Sequence, residues 1–397
     1  MRQQAQDLPR IANLMAQPTL VNQRLILIFR LLGICLMLAA QAFTSGHVQA
    51  AHGLPDSMRF GYGARLDPLG QQVSLALNTT ASIGLDWIGV DFDWARLWLT
   101  RNDQPKLDAL DVVISNARKN GVNVMLSITD PPGWALTRKG PKPEITAGLV
   151  SLLASRYRET VLAIEIFPEA NTLRGWGAPP NPQAYASLLA SSWEELRSIG
   201  SPAILVAGGL RHISAGQSGQ DMDDLAFLNA LYDSGASEQM PVVSLRLTNL
   251  SGRTIAAPDQ NNPQVLRRYE LIRQIMLKQN HNEGLIWITG FSWPDSDRSS
   301  PEEQSLWMSQ AFQLMRSQLY IGVAFVERLN PPHQPVGSSN QYLIQNKGQA
   351  TRLHPALYAL AQLITLDRTG QLIPLPSELE KTSSSTIDKS ASQGGRP

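Results

Sequence analysis

The sequence predicts an α/β fold, a (β/α)8 barrel built as a single domain. Three observations carry that reading: eight short apolar runs alternate with helical stretches, several of those stretches end at glycine, and apolar residues are plentiful. Of the 397 residues, 43% are hydrophobic and 17% charged, with a formal net charge of +1. That composition supplies a large core and is too poor in charge for a disordered chain.

The strand candidates, in order, are 59–63, 86–92, 123–129, 162–167, 203–208, 242–247, 285–289 and 321–326. Between them lie stretches with helical periodicity such as LDALDVVISNARKNG, PQAYASLLASSWEELRSIG and PEEQSLWMSQAFQLMRSQ. Glycine just past a periodic stretch is the usual helix stop. Near-continuous apolar strands separated by helices point to a parallel sheet covered on both faces. Eight such units favour closure over an open sheet. An open doubly wound sheet would want a glycine-rich phosphate loop after its first strand, and FGYGARLDP does not complete G-x-G-x-x-G.

The flanks read differently. Within residues 1–50, Arg2, Arg10, Arg24 and Arg30 stand against the single acid Asp7, followed by LLGICLMLAAQAF at 31–43 and a small-residue end at Ala50. This is the order of a secretory signal. An uncleaved anchor over 25–43 is the alternative, although Arg30 interrupts it and leaves it short of the roughly 20 residues a span needs. Ile34 before Cys35 speaks against a lipoprotein. The expected location is therefore outside the cytoplasm: periplasm, cell envelope or extracellular space, with membrane contact only through 25–43. The barrel is expected over 51–370, and the Ser-rich stretch 371–397 reads as a flexible tail.

Composition also narrows the chemistry. Cys35 is the single cysteine, so the rest of the chain holds no disulfide or thiolate metal site. The six histidines, His47, His52, His212, His281, His333 and His354, lack close ligand spacing, so neither a metal nor a cofactor is expected. Near-neutral charge without a basic run gives no case for nucleic acid.

Active sites of such barrels collect at the C-terminal ends of the strands. Those ends carry Asp91 and Asp93, then Asp130 and Trp134, then Glu169, Asn171, Arg174 and Trp176. Arg246 and Asn249 follow the sixth strand, Trp293, Asp295 and Asp297 the seventh, and Glu327 with Arg328 the eighth. Aromatics mixed with acids and amides suit sugars, whose rings stack while their hydroxyls take polar partners. Asn171, Trp134, Trp176, Arg246, Trp293 and Asp295 are thus the substrate-binding candidates, and a polysaccharide or oligosaccharide is the expected partner. Trp134, Trp176 and Trp293 would serve equally as loop packing.

The run AIEIFPEAN at 163–171 resembles the E-I-W-N-E-P-N strand end of clan A glycoside hydrolases, the retaining (β/α)8 enzymes. LDWIGVDFDWARL and VMLSITDPPGWA resemble the second and third strands of that clan, and HPALYAL its closing helix. The resemblance implies a glycosidase fold with Glu169 as the general acid/base. It also exposes departures. Pro168 replaces the asparagine that holds the substrate's 2-hydroxyl, and Arg246 stands where many members have histidine. WITGFSW stands where the clan reads W-I-T-E-F-G-W, so the nucleophile position is Gly290.

Retaining hydrolysis needs two carboxyl groups roughly 5–5.5 Å apart, and a glycine cannot attack an anomeric carbon. The expectation is an exported glycoside hydrolase-like barrel that binds or processes polysaccharide with lost or impaired retaining catalysis. Two other readings stay open. One is an active hydrolase that pairs Glu169 with a relocated carboxylate from Glu327, Asp295 or Asp297. The other is a non-enzymatic scaffold in polysaccharide export or assembly. Glu327 could instead pair structurally with Arg328 or Arg246, Asp295 and Asp297 with Arg298, and Glu165 could be a carboxylate bonded within the barrel.

Overall fold

The computed structural model describes residues 51–57, 59–213, 219–250, 256–258, 265–293, 300–333, 342–347 and 350–370. Residues 1–50, where a signal segment is expected, the Ser-rich stretch 371–397, Asp295, Asp297 and Arg298 lie outside the described residues.

Eight parallel strands close into a barrel: β1 Gly61–Leu66, β2 Trp87–Asp93, β3 Asn123–Thr129, β4 Val161–Ile166, β5 Ile204–Leu210, β6 Val242–Leu247, β7 Leu285–Phe291 and β8 Ile321–Val326. Around the ring the order is β1, β8, β7, β6, β5, β4, β3, β2, so each strand lies beside its neighbours in sequence and β8 closes on β1. Each strand is followed by one long helix: α1 Val73–Ile83, α2 Asp108–Lys119, α3 Pro143–Arg156, α4 Pro182–Ser198, α5 Asp224–Asp233, α6 Tyr269–Lys278, α7 Pro301–Arg316 and α8 Pro355–Thr369. This is the (β/α)8 barrel that the apolar alternation predicted.

Several helix starts follow from an N-cap residue placed before proline. Asn181 accepts from the Ala184 amide at 2.9 Å ahead of Pro182, and His354 accepts from Ala356 at 3.1 Å ahead of Pro355. Ser300 and Glu303 form a reciprocal capping box around Pro301. Proline at the first helical position gives up an amide that would have no partner there anyway. Among the described residues, no helix is long and apolar enough to cross a membrane.

The strand side chains divide between two apolar clusters. Outward-facing residues pack under the helices, while Trp87, Met125, Ala163, Val206, Val242, Trp287, Val323 and Phe325 fill the barrel interior. Trp87 and Trp287 meet edge to face at 5.1 Å. Their indole N–H groups need acceptors once buried. His52 O and Gly53 O supply them at 2.7 and 3.0 Å, so the segment before β1 closes the base of the barrel. Gly53 sits at φ 86, and any side chain there would overlap Val323 and the Gly322 backbone.

Register shifts occur in several strands, and near the mouth two strands carry an extra residue that the periodicity did not reveal. Between its pairings Ala207↔Val243 and Leu210↔Leu245, β5 bulges at Gly208–Gly209. On both of its edges, β7 bulges around Thr289–Gly290. Two small antiparallel ribbons, Leu136–Thr137 with Gly140–Pro141 and Ile344–Lys347 with Ala350–Leu353, were likewise not predicted. They lie in the segments after β3 and β8. Bulges re-aim side chains and bend strands, and both of these sit at the mouth of the barrel.

Candidate functional site

Glu169 lies in the turn that leaves β4. Phe167 and Glu169 both adopt left-handed backbone, at φ 50 and φ 64, which is uncommon for residues other than glycine. Backbone hydrogen bonds hold the turn. The Phe167 amide donates to Ile128 O at 3.0 Å, Glu169 donates to Gly209 O at 2.9 Å, and Thr172 closes back on Glu169 O. The β5 bulge makes this turn fit, because a Cβ on Gly209 would come within 2.6 Å of the Pro168 Cα. The Glu169 carboxylate stays partly open to solvent, with Arg211 Nε at 3.6 Å from Oε2.

Below it, Glu165 is fully buried on β4. Its Oε2 accepts from Ser127 of β3 at 2.6 Å and its Oε1 from Ser244 of β6 at 2.9 Å. The Gly209 amide donates to that Ser244 hydroxyl at 2.6 Å, so four adjacent strands are tied to one carboxylate.

Above this layer, four charged side chains cross the mouth in alternating sign. Arg65 of β1 pairs with Asp91 of β2 and donates to Thr289 O in the β7 bulge at 2.9 Å. Arg246 of β6 donates to Glu327 Oε1 at 3.2 Å, and its Nη2 stands 3.8 Å from Asp91 Oδ2. Because β2 and β6 are opposite strands in the ring, this last contact spans the barrel. Arg65 Nε lies 3.9 Å from Glu327 Oε1. Burial pushes the Asp91 carboxyl up, but Arg65 and Arg246 together hold it below its ordinary value. Burial likewise pulls the Arg246 guanidinium down, and the carboxylates of Glu327, Asp91, Glu165 and Glu169 outweigh it and raise it. These four carboxylates therefore lie within electrostatic reach of Arg246.

Gly290 sits in the β7 bulge, paired with Arg246. The space where its side chain would begin is taken. A Cβ built there overlaps Glu327 Oε1, lies 2.9 Å from Glu327 Cδ, and is 3.3 Å from Arg246 Cγ.

Two cavities flank this lattice. One of about 400 Å³ is lined by Arg65, Asp91, Asp93, Asp130, Glu327 and Asn330, among others. The other, of about 500 Å³, is lined by Arg211, His212, Asp221, Arg246, Asn249 and Arg268, among others. Both fall in the size range of small-ligand sites. Burial pushes the Asp93 carboxyl up, and Asp130 and Asp91 add to that against the opposing amide of Arg96.

The substrate-binding candidates separate on this geometry. Arg246 belongs to the lattice. Trp134 is half-buried, edge-on to Trp94 at 5.6 Å and Trp98 at 5.5 Å, and Trp293 packs on Phe291 and Trp307 at 5.7 and 5.9 Å. Neither indole nitrogen has a hydrogen-bond partner among the described residues. Asn171 and Trp176 must be corrected. Asn171 is fully buried, donates to Arg211 O and Met222 O at 2.7 and 2.8 Å, and accepts from the Arg211 amide, so its amide ties two loops together. Trp176 is also fully buried, with its N–H on Lys139 O at 2.8 Å and its ring between Phe167 and Tyr185. It offers no face to a sugar.

Sequence reasoning missed Arg65, Ser127, Ser244, Arg211 and the Gly208–Gly209 bulge. Arg65 did leave a signal: a lone cation inside the apolar run GYGARL has to find a partner when that strand is buried. The structure also gathers His212, Asp223 and Asp224, which the histidine spacing had not suggested, with ligand atoms within 4.8 Å of one another. Arg268 already binds both oxygens of Asp224, at 2.7 and 2.6 Å, and takes the lone pairs a cation would use.

No protein-family model and no curated protein matches the sequence. Solved structures do share the fold. A family 39 glycoside hydrolase from the gut symbiont Bacteroides cellulosilyticus WH2 superposes with a TM-score of 0.59 at 16% identity, over 78% of this chain and 64% of that one. This chain thus spans less than two thirds of that enzyme. The β-glycosidase BGL167 gives 0.57 at 12% identity, over 81% of this chain and 100% of that one. The exo-β-1,4-mannosidase Op5Man5 from Opitutaceae bacterium strain TAV5 gives 0.57 at 12% identity, over 83% and 64%. With the closed parallel barrel, these likenesses give the chain the (β/α)8 fold that these glycosidases share.

Proposed function

We propose that this chain is a glycan-binding barrel of glycoside hydrolase ancestry, acting outside the cytoplasm, in which the retaining carboxylate pair is no longer intact. One observation carries the reading. Gly290 leaves the nucleophile position without a side chain, and the carboxylate nearest that place, Glu327, is tied to Arg246 and Arg65. Attack on an anomeric carbon needs a carboxylate free to approach it, and this one would first have to leave two guanidinium groups. Glu169 remains, but a general acid alone supplies only about 10²–10⁴-fold of rate. Meanwhile the mouth keeps cavities lined by side chains that accept and donate hydrogen bonds, which suits sugar hydroxyls.

The experiment is titration of the purified protein with a panel of soluble β-glycans, scored for binding and for release of reducing ends. Binding without release is the expected result, weakened at least about tenfold by Asp93→Ala or Trp134→Ala, in keeping with the loss of one desolvated contact. Release of reducing ends that disappears in both Glu169→Gln and Glu327→Gln would overturn the reading in favour of an active hydrolase. Failure to bind any glycan would overturn it in favour of a scaffold.

A further inference from the structure

We propose that the strand-seven carboxylate was exchanged for one on strand eight, and that Gly290 and Glu327 are now two halves of one arrangement. Glu327 occupies the volume that Gly290 leaves empty, steadies Arg246 across the mouth, and thereby bars any side chain from position 290. This deepens the reading of the mouth as a glycan site without a retaining pair, and rests on it.

The argument begins with the backbone. Glu327 directly follows β8, where its amide donates to Phe291 O at 3.0 Å, so its side chain starts beside the β7 bulge. Arg246 starts on the other side of the same bulge, paired with Gly290. The two side chains therefore approach from the two strands that flank β7, and they meet over Gly290 at 3.2 Å. A carboxylate at the end of a glutamate is ordinarily free to swing away from an intruding methyl group. This one is not, because it is only 13% exposed and lies between Arg246 and Arg65. Arg65 in turn is fixed by Asp91, Ser127 and Thr289 O. Moving Glu327 would leave Arg246 without its nearest carboxylate in a buried place, and removing one partner of a buried ion pair is costly.

Gly290 is thus glycine for a reason of space, separate from any catalytic demand. Gly209 shows the same device on β5, where a missing side chain admits Pro168. Around the mouth, one glycine makes room for the turn that carries Glu169 and another makes room for Glu327. Glu327 is a positioning residue here, and Arg246 is what it positions.

A consequence for hydrolysis follows. Introducing glutamate at 290 alone would place a second carboxylate onto the first. Introducing it together with Glu327→Ala would give the new carboxylate the volume that Glu327 vacates. Its oxygen could then bond to the anomeric carbon as the glycosidic C–O bond breaks. The bonding pair would leave with the aglycone oxygen, which takes the proton of Glu169. Water, giving its proton back to Glu169, would then release the sugar and restore the introduced carboxylate.

The test is a double-substitution cycle on the whole chain, read by thermal unfolding and by turnover of 2,4-dinitrophenyl β-glycosides. Gly290→Ala should lower Tm by roughly 2–6 °C in the native background, as overpacking does, and by less than about a third of that in the Glu327→Ala background. In the Glu327→Gln background, which keeps the volume but not the charge, the penalty should persist. Turnover should appear in Gly290→Glu/Glu327→Ala and stay absent in Gly290→Glu. Equal Tm penalties in the native and Glu327→Ala backgrounds would overturn the exchange. So would turnover by Gly290→Glu alone as fast as by the double variant. A chain that binds no glycan would defeat the proposed function and leave this cycle readable.

Discussion

Asp224 and Arg268 show how much a single residue pair can carry. The Asp224 side chain has no exposed surface, Arg268 has 5%, and two hydrogen bonds join them. Asp224→Ala should cost about 3–5 kcal/mol, measured as a shift in the urea midpoint, because it takes from a buried guanidinium the carboxylate that accepts both of these hydrogen bonds. Burial pushes the Asp224 carboxyl up, but the hydrogen bonds from Arg268, with the His212 ring 3.7 Å away, win and hold it well below its ordinary value of 3.8. A carboxyl depressed in the folded state stabilises fully above its unfolded value and loses that contribution as pH falls toward the folded one. Wild-type stability should therefore decline as pH drops below 3.8, and Asp224→Asn should decline less over the same interval. Trp176→Ala should cost about 3–5 kcal/mol in a thermal melt, since the ring is sealed in the core. Any loss of glycan binding in that variant is then a loss of fold. The contrast between Trp176 and Trp134 marks a limit of reading residues from sequence. Both follow strand ends and look alike there, and only the backbone at Gly140, packed against the Trp176 ring, decides which one is closed off.

At the scale of elements, the strands were legible because a buried parallel strand must be apolar along its length. The stretches that form α4 and α7 were legible from their helical periodicity, and they begin at Asn181-Pro182 and Ser300-Pro301. The bulges were not, because a bulge is a mismatch between two strands far apart in sequence and leaves no period in either. Yet they govern the candidate site: the β5 bulge seats the Glu169 turn, and the β7 bulge brings Arg246 and Glu327 together. Gly209→Ala should therefore be expensive for so small a change. It adds a methyl group against the Pro168 backbone at φ 54, and about 2–4 kcal/mol in urea denaturation is expected from strain and overpacking combined. Ser300→Ala, which removes only a cap, should cost about 1 kcal/mol by the same measurement.

Over the whole molecule, closure of the barrel depends on pairs that no local pattern announces. Asp86, at the start of β2, accepts from the Tyr62 amide at 2.9 Å, stands 3.0 Å from His52 Nδ1, and pairs with Arg368 of α8 at 2.7 Å. The segment under the barrel, the first pair of strands and the last helix thus converge on one carboxylate. A chain lacking residues 51–57 should unfold at lower temperature than one that keeps them. The indoles of Trp87 and Trp287 would lose their acceptors, at about 1–3 kcal/mol for each donor left buried. Barrel class and the ends of its strands could be read from the sequence. Of the lattice across the mouth, the sequence offered the Glu327–Arg246 pair as one alternative, but not Arg65 or the contacts of Asp91, because these residues are scattered over four strands and only closure brings them together.

The occupied space above Gly290 also bears on how such a chain changes over generations. Two of the four glycine codons become glutamate codons through a single base, which puts a glutamate at position 290 within reach of ordinary drift. While Glu327 stands, such a change arrives as a defect and is discarded before it can be tried as a gain. Under the proposed exchange the pair works as a ratchet, since a carboxylate at position 290 and the loss of Glu327 would have to arrive together.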